Sequence, residues 1–384
     1  KLVYIGYSKI NMKIAIDARG AVWFRGTGIG TYTYQLAKGL ATRANHEFLF
    51  FCPESAVTMM GEAPNVHRVA VPENPDWQVE QTHMMGAMLE AKIDLYHMPQ
   101  NGLNLPQQVP FPVVVTLHDV IPYILPQTCN STFLRRFLKQ MPYIAKRADK
   151  LITVSHYSRK DILRHLEVPP EKIVVIYPAP EPIYVSLPQA PCREFLEECY
   201  GITGNPLILY VGGFSLRKNV GLLLRAFAAS CKEVGSGAIL VVAGRATPEV
   251  AGLLQLARAL GIEKQLVFPG YVPVRDLPQF YCAADVFVYP SLYEGFGMPP
   301  LEAMACGTPT ITSNAAALTE VVGEGAWQVE PYDEAGLTEA IVQVITDGKT
   351  AIRLAQKGRE WVKRYSWKKA VTETMLVYEA VKRN

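Results

Sequence analysis

Two glutamates, Glu294 and Glu302, stand with seven residues between them in Ser291-Leu-Tyr-Glu-Gly-Phe-Gly-Met-Pro-Pro-Leu-Glu-Ala-Met-Ala-Cys-Gly-Thr-Pro309. A carboxylate accepts two hydrogen bonds at once, so Glu302 can hold a vicinal diol and Glu294 can do the same for sugar hydroxyls. Proline disfavours the α conformation in the residue before it and suits a helix's first position. Pro299 is therefore read as extended, Pro300 as the helix start and Glu302 as a first-turn residue, with Gly307 and Pro309 as the stop. A helix start beside the pliable Gly295-Phe-Gly297 backbone suits an anion such as a diphosphate. In the plainer reading Glu302 only stabilises that helix start.

Arg217 and Lys218 follow another strand-like run, Leu207 to Val211, through Gly212-Gly213. Two cations at a strand end can neutralise a diphosphate leaving group; a solvated helix-entry pair is the alternative. His118 and Asp119 end the run Val113 to Leu117, which places His118 to assist at a sugar or an acceptor. Gly28 and Gly30 precede a helix after the run Lys13 to Ala18, where glycine permits close approach of backbone to phosphate or sugar. A plain helix N-terminus is the other reading. Thr33 stands where a dinucleotide-binding turn needs its third glycine, which disfavours a dehydrogenase. Ser155 and Ser158 are read as caps of the next helix.

The elements that must position these groups alternate short apolar runs with amphipathic stretches, the pattern of parallel sheets covered by helices on both faces. The fold class is α/β. Further strands are expected near 47–52, 94–97, 151–154, 173–176, 238–243, 265–268, 286–289 and 308–312. The proline-rich runs Tyr177 to Pro182 and Leu187 to Pro191 argue against regular structure and put a linker between two halves. Each half is read as a Rossmann-like sheet, whose ligands lie beyond the carboxyl ends of its strands, and two facing sheets make a cleft. The expected layout is an N-terminal acceptor-side domain at 12–182, a linker at 183–205, a nucleotide-sugar domain at 206–365 and a closing helix at 366–384.

Glu294 and Glu302, with Glu-Gly-Phe-Gly at the first and Ala-Met-Ala-Cys-Gly-Thr-Pro after the second, resemble the signature of retaining glycosyltransferase family 4. The resemblance runs from Met12 to the last helix and implies a GT-B fold. It further implies a metal-independent retaining transferase with no cofactor, in which a nucleotide-sugar is the substrate. By the same resemblance Glu302 holds the donor ribose, Glu294 contacts the donor sugar, and Gly295, Phe296, Gly297 and Met298 contact sugar hydroxyls and phosphate. Gly28 and Gly30 belong to the loop over the donor diphosphate, and the final helix crosses back to the first domain. The family has Arg where this chain has Gly213, while Lys218 matches; Arg217 is the residue that can compensate. The implied reaction moves a hexose, a UDP-hexose such as UDP-glucose before GDP-mannose, to a glycan or lipid-linked acceptor in polysaccharide synthesis. A nucleotide-sugar epimerase and a non-catalytic sugar-binding subunit are the competing readings.

Composition is consistent with this and excludes other classes. The 384 residues are 49% hydrophobic and 19% charged with a net charge of +3, which favours two cores and disfavours disorder or a dedicated nucleic-acid binder. Seven scattered cysteines without a paired motif read as reduced thiols, without a metal or disulfide framework. No apolar run reaches the roughly 18 to 20 residues that span a bilayer, and Lys1 to Asn11 lack a signal-peptide core, so a cytoplasmic protein is expected, with residues 1–11 outside the fold. Arg135, Arg136, Lys139, Lys146, Arg147 and Lys150 are interleaved with apolar residues at helical spacing, so 135–150 can touch anionic lipid at the inner face of the membrane. A solvated face is the alternative.

Overall fold

The computed structural model describes residues 11–56, 63–73 and 77–382. Of the expected N-terminal extension, residues 1–10 lie outside this set. The chain divides into two compact units: Lys1–Ile124, Cys129–Pro178 and Ser366–Asn384 form the first, Leu125–Thr128 with Ala179–Tyr365 the second.

The first unit is built on β1 (Lys13–Asp17), β2 (Glu47–Pro53), β3 (Val66–Val71), β4 (Leu95–Met98), β5 (Val113–Thr116), β6 (Lys150–Thr153) and β7 (Ile173–Val175). They form one parallel sheet in the order β3-β2-β1-β4-β5-β6-β7. The second unit holds β8 (Leu207–Val211), β9 (Ile239–Ala243), β10 (Leu266–Val267), β11 (Val286–Tyr289), β12 (Thr310–Ser313) and β13 (Trp327–Val329), parallel in the order β10-β9-β8-β11-β12-β13. Central strands covered on both faces, such as Val113–Thr116 and Ile239–Ala243, are wholly buried, hence their unbroken apolar runs. Strand order reverses between β1 and β4 in one sheet and between β8 and β11 in the other. Ligands of open α/β sheets bind at such switch points.

Two strands escaped the sequence reading, β3 and β13, and both are edge strands. Only one residue of each is fully buried, so neither carries an apolar run. A second difference concerns Leu187 to Pro191, where irregular backbone was expected. The Gln189–Tyr200 helix starts there, with Pro188 just before it, and buries Cys192 and Leu196. Proline breaks a helix in its interior but is accommodated in the first turn, where its missing N–H has no helical acceptor.

The Trp367–Lys382 helix packs in the first unit. It buries Val371, Met375 and Tyr378 among others, and a side chain at Gly39 would lie 2.4 Å from Val371. The Tyr378 hydroxyl lies 2.6 Å from Nδ1 of His97, which is fully buried on β4. Phenylalanine at 378 would leave that nitrogen without a partner, at a cost of about 1–3 kcal/mol. Urea unfolding of Tyr378→Phe should show a loss in that range; an unchanged midpoint would mean that the pair contributes nothing.

Candidate active site

At the carboxyl edge of the second sheet, β8 and β11 deliver the cations and the first glutamate to one point. After β8 the chain makes a short turn, Leu216–Lys218, ended by Asn219 in the left-handed region (φ 53°), which asparagine tolerates better than most residues. Asn219 is fixed by donating from Nδ2 to the Pro331 carbonyl at 2.9 Å. After β11, Leu292 N donates to Arg217 O at 2.7 Å, which joins the two loops.

The junction centres on the Glu294 carboxylate, which is buried. Its Oε1 lies 2.7 Å from both Lys218 Nζ and Arg217 Nη1, and it accepts from Ser291 Oγ at 2.5 Å and Tyr289 OH at 3.1 Å. Burial works to raise the Glu294 pKa, but Arg217 and then Lys218 outweigh it and hold it at about 2. The carboxylate is therefore ionised. Lys218 also donates to Tyr289 OH at 2.5 Å, and Arg217 to the Tyr293 carbonyl at 2.6 Å. Two cations against one carboxylate leave one net positive charge at the strand ends.

The next helix corrects the sequence reading. It spans Met298–Cys306, with Gly297 capping it at φ 103°, a conformation that favours glycine. Pro299 is thus helical, not extended, and Glu302 is the fifth residue, past the first turn. Both prolines occupy positions whose N–H is unneeded, so the helix starts two residues before Pro300. Gly295, Phe296, Gly297 and Met298 are buried, and the Phe296 ring meets Tyr365 edge-on at 5.8 Å. Glu302 Oε2 accepts from the buried Tyr281 hydroxyl at 2.8 Å. Gly213 is exposed, with nothing within 4 Å of an added side chain, and its carbonyl accepts from Tyr210 OH at 2.6 Å.

His118, Gly28 and Gly30 belong to the first unit. The Gly28–Ala41 helix is capped by Thr27, whose hydroxyl accepts from Gly30 N at 3.3 Å. A side chain at Gly30 would fall 1.9 Å from the Phe24 carbonyl, so this glycine is required by the chain's own packing; Gly28 is exposed. His118 is buried after β5. Its N–H donates to Asn101 Oδ1 at 2.9 Å, and its Nε2 lies 2.8 Å from the Pro99 carbonyl. Burial pulls its pKa down to about 4 against a smaller opposing effect of Pro99, and burial followed by the neighbouring His118 pulls His97 to about 3. Both rings are neutral near pH 7.

Several contributors carried no sequence signal. Tyr289 ends the apolar strand Val-Phe-Val-Tyr289, Ser291 opens the Ser291 to Pro309 stretch with no role read for it, and Tyr281 lies in no motif. Asn101, which anchors His118, sits in the left-handed region at φ 62°. At the end of β1, Arg19 grips buried Asp17 through Nε and Nη2, both at 2.8 Å, and reaches Glu80 through Nη1 at 2.6 Å. Asp119 accepts from Ile121 N at 3.0 Å, and Ser155 caps the His156–His165 helix as expected. All seven cysteines are free. Among the described residues no three His, Cys, Asp or Glu side chains form a metal-binding group, and no helix is long and apolar enough to cross a membrane.

The two Rossmann-like parallel sheets are those of the GT-B fold, and the chain is a glycosyltransferase. The chain belongs to glycosyltransferase family 4: residues 26–180 match the family model of that description and 193–361 match Glycosyl transferases group 1. It is similar to the O-antigen chain mannosyltransferase B of Escherichia coli, 30% identical over 92% of this chain and 96% of that one. Among solved structures it resembles HepE of Anabaena with UDP-glucose (TM-score 0.77, 20% identity, 96% and 100% of the two chains). Sucrose-phosphate synthase of Thermosynechococcus elongatus is similar too (0.76, 22%, 96% and 99%).

The two neutral histidines make stability depend on pH. Their folded pKa values, about 3 and about 4, lie below the ordinary 6.5, so from pH 6.5 downward the unfolded chain binds protons that the folded chain refuses. Stability therefore falls as pH drops, by about 2 kcal/mol per histidine at pH 5. Glu294, lowered instead, loses its contribution only below its ordinary 4.5. Urea unfolding at pH 7 and pH 5 should show this loss, and His97→Gln should remove part of the slope; equal stability at the two pH values would contradict buried neutral rings.

Proposed function

We propose that this glycosyltransferase is a retaining hexosyltransferase that moves mannose from GDP-mannose to a glycan or lipid-linked acceptor in polysaccharide synthesis. The observation that carries the reading of the site is the convergence of Arg217 and Lys218 on buried Glu294 at the β8–β11 switch point. As the bond from the sugar's anomeric carbon to phosphate breaks, the departing diphosphate gains charge and the two cations offset it, a function otherwise open to a metal ion. The acceptor oxygen bonds to the same face of the sugar, and its proton passes to a departing phosphate oxygen. Glu302, oriented by Tyr281, takes the ribose diol, and Glu294 and His118 serve the sugar and acceptor. Arg217 replaces the arginine that the family has at 213.

Mannose is favoured over glucose because the E. coli relative, similar over nearly its whole length, is named a mannosyltransferase. UDP-glucose is the second reading, favoured by HepE, whose likeness at 20% identity is one of fold. Thermal stabilisation should be stronger with GDP-mannose than with UDP-glucose, since ligand binding to the folded state raises apparent stability. Lys218→Ala and Glu302→Ala should each lower transfer by at least about tenfold. Full activity in both variants would remove the site from the reaction, and sugar isomerised without an acceptor would favour an epimerase.

The Ser131–Arg147 helix is the proposed lipid contact. Phe133 and Leu138 are exposed beside Arg135, Arg136, Lys139 and Lys146, whereas Arg147 is bound to the Val109 and Phe111 carbonyls and Lys150 to that of Glu171. Anionic phosphatidylglycerol vesicles should co-sediment the protein at low salt, and Arg135, Arg136 and Lys139 changed together to Ser should abolish this. Equal sedimentation of the triple variant would assign the face to solvent.

A further inference from the structure

We infer that Tyr32 is a positioning residue for His118, held in place by a buried relay of hydrogen bonds that ends on the C-terminal helix. The inference rests on the part proposed above for His118 in transfer. Tyr32 lies in the Gly28–Ala41 helix and is 2% exposed. Its ring meets the His118 ring edge-on, with centroids 4.8 Å apart and an interplanar angle of 87°. Its hydroxyl is 3.2 Å from Thr116 Oγ1, which is 2.9 Å from His97 Nε2, and His97 Nδ1 is 2.6 Å from Tyr378 OH. The Trp367 ring approaches Tyr32 at 5.8 Å. One phenol ring thus touches β5, the glycine-led helix and the C-terminal helix together.

A neutral His97 ring donates from one nitrogen and accepts at the other, so the relay closes in either of two proton orders. With Tyr378 donating to His97 Nδ1, the other nitrogen of the neutral His97 ring carries hydrogen and donates to Thr116. A carbonyl only accepts, so His118 Nε2 carries the hydrogen that goes to Pro99, and Nδ1 keeps the lone pair. Nδ1 is then the atom that can accept from a sugar or acceptor hydroxyl. A half-turn of the imidazole about Cβ–Cγ would put Cε1 where Nε2 meets the Pro99 carbonyl and Cδ2 where Nδ1 lies, and the Tyr32 ring packed edge-on against it opposes that turn. Tyr32, Thr116 and His97 are buried, and a buried polar chain whose members are all paired holds its parts to one geometry. Titratable groups around His118 are Tyr32 from the helix, His97 from β4 and Asp119 next in sequence; burial by these elements keeps the ring neutral.

The ring and the hydroxyl of Tyr32 make separable contributions. Tyr32→Phe keeps the edge contact and should retain transfer within about threefold, whereas Tyr32→Leu should lower kcat about tenfold with donor KM within twofold. The acidic limb of the Tyr32→Leu rate profile should move up by about one pH unit, because water enters beside His118. In a His118→Ala background the same change should cost less than twofold; a full tenfold loss there would overturn the positioning. Nitrogen-15 NMR of the wild-type protein needs no variant to fold: His118 should show a neutral ring protonated at Nε2 and titrating well below 6.5. A ring protonated at Nδ1, or an ordinary titration, overturns the inference. If His118→Ala transfers at the wild-type rate, the proposed part of His118 fails, while an unaltered His118 resonance in Tyr32→Leu overturns the positioning alone.

Discussion

A carboxylate taken out of water costs several kcal/mol unless cations and hydrogen-bond donors replace the lost hydration, and Glu294 meets that condition through one oxygen. Arg217, Lys218, Ser291 and Tyr289 all converge on Oε1, and much of the local chain geometry follows from bringing them there. The cations leave β8 and the glutamate leaves β11, strands that pair directly although 74 residues separate Val211 from Val286. Asn219 takes a left-handed conformation so that Lys218 ends its turn where the next helix begins. Burial and the Glu294 charge push the Tyr289 hydroxyl far above its ordinary range, so it stays protonated and can donate to Glu294 while accepting from Lys218.

The first unit solves the corresponding problem with neutral groups. Its buried histidines lose their charge to desolvation, and the buried ion pair at the end of β1, Asp17 with Arg19, is closed on itself and on Glu80. Bidentate geometry uses up the guanidinium, so Arg19 fixes the Gly20–Trp23 turn and the Trp77–Ala91 helix relative to each other. The two sheets share a topology yet differ in site electrostatics: one edge holds net positive charge suited to phosphate, the other holds uncharged rings suited to hydroxyl groups.

Most of the fold was legible because parallel strands buried on both faces leave apolar runs of fixed length, and eleven of the strands between Lys13 and Ser313 were read within about two residues of their bounds. β3 and β13 were not, since His67 and Arg68 interrupt the first and the second is only Trp327–Val329 with a glutamine at its centre. The cationic pair and Glu294, which the structure brings together, were singled out from residue type and placement together with the family signature. Tyr289, Ser291, Tyr281 and Tyr32 were not, because a hydroxyl at the end of an apolar strand or inside a helix looks like packing until the partner's position is known. Gly30 was legible as a constrained glycine, but the close neighbour is the Phe24 carbonyl of its own loop.

The double proline changes which groups can answer a phosphate. A helix start ordinarily offers about four backbone N–H groups, and this was the basis for reading an anion cradle at Gly295 to Pro300. With the helix starting at Met298, two of those four positions are Pro299 and Pro300, which have no N–H, so the start can present only the amides of Gly297 and Met298. Half of the backbone contribution is absent. In the proposed reaction side-chain cations then carry more of the charge, and those at this switch point are adjacent, Arg217 and Lys218, in place of the family's more widely spaced pair. Adjacent cations repel, and the carboxylate between them is what makes the arrangement stable. Glu294 is therefore the condition for the cationic site, whatever it also does for the sugar in the proposed reaction.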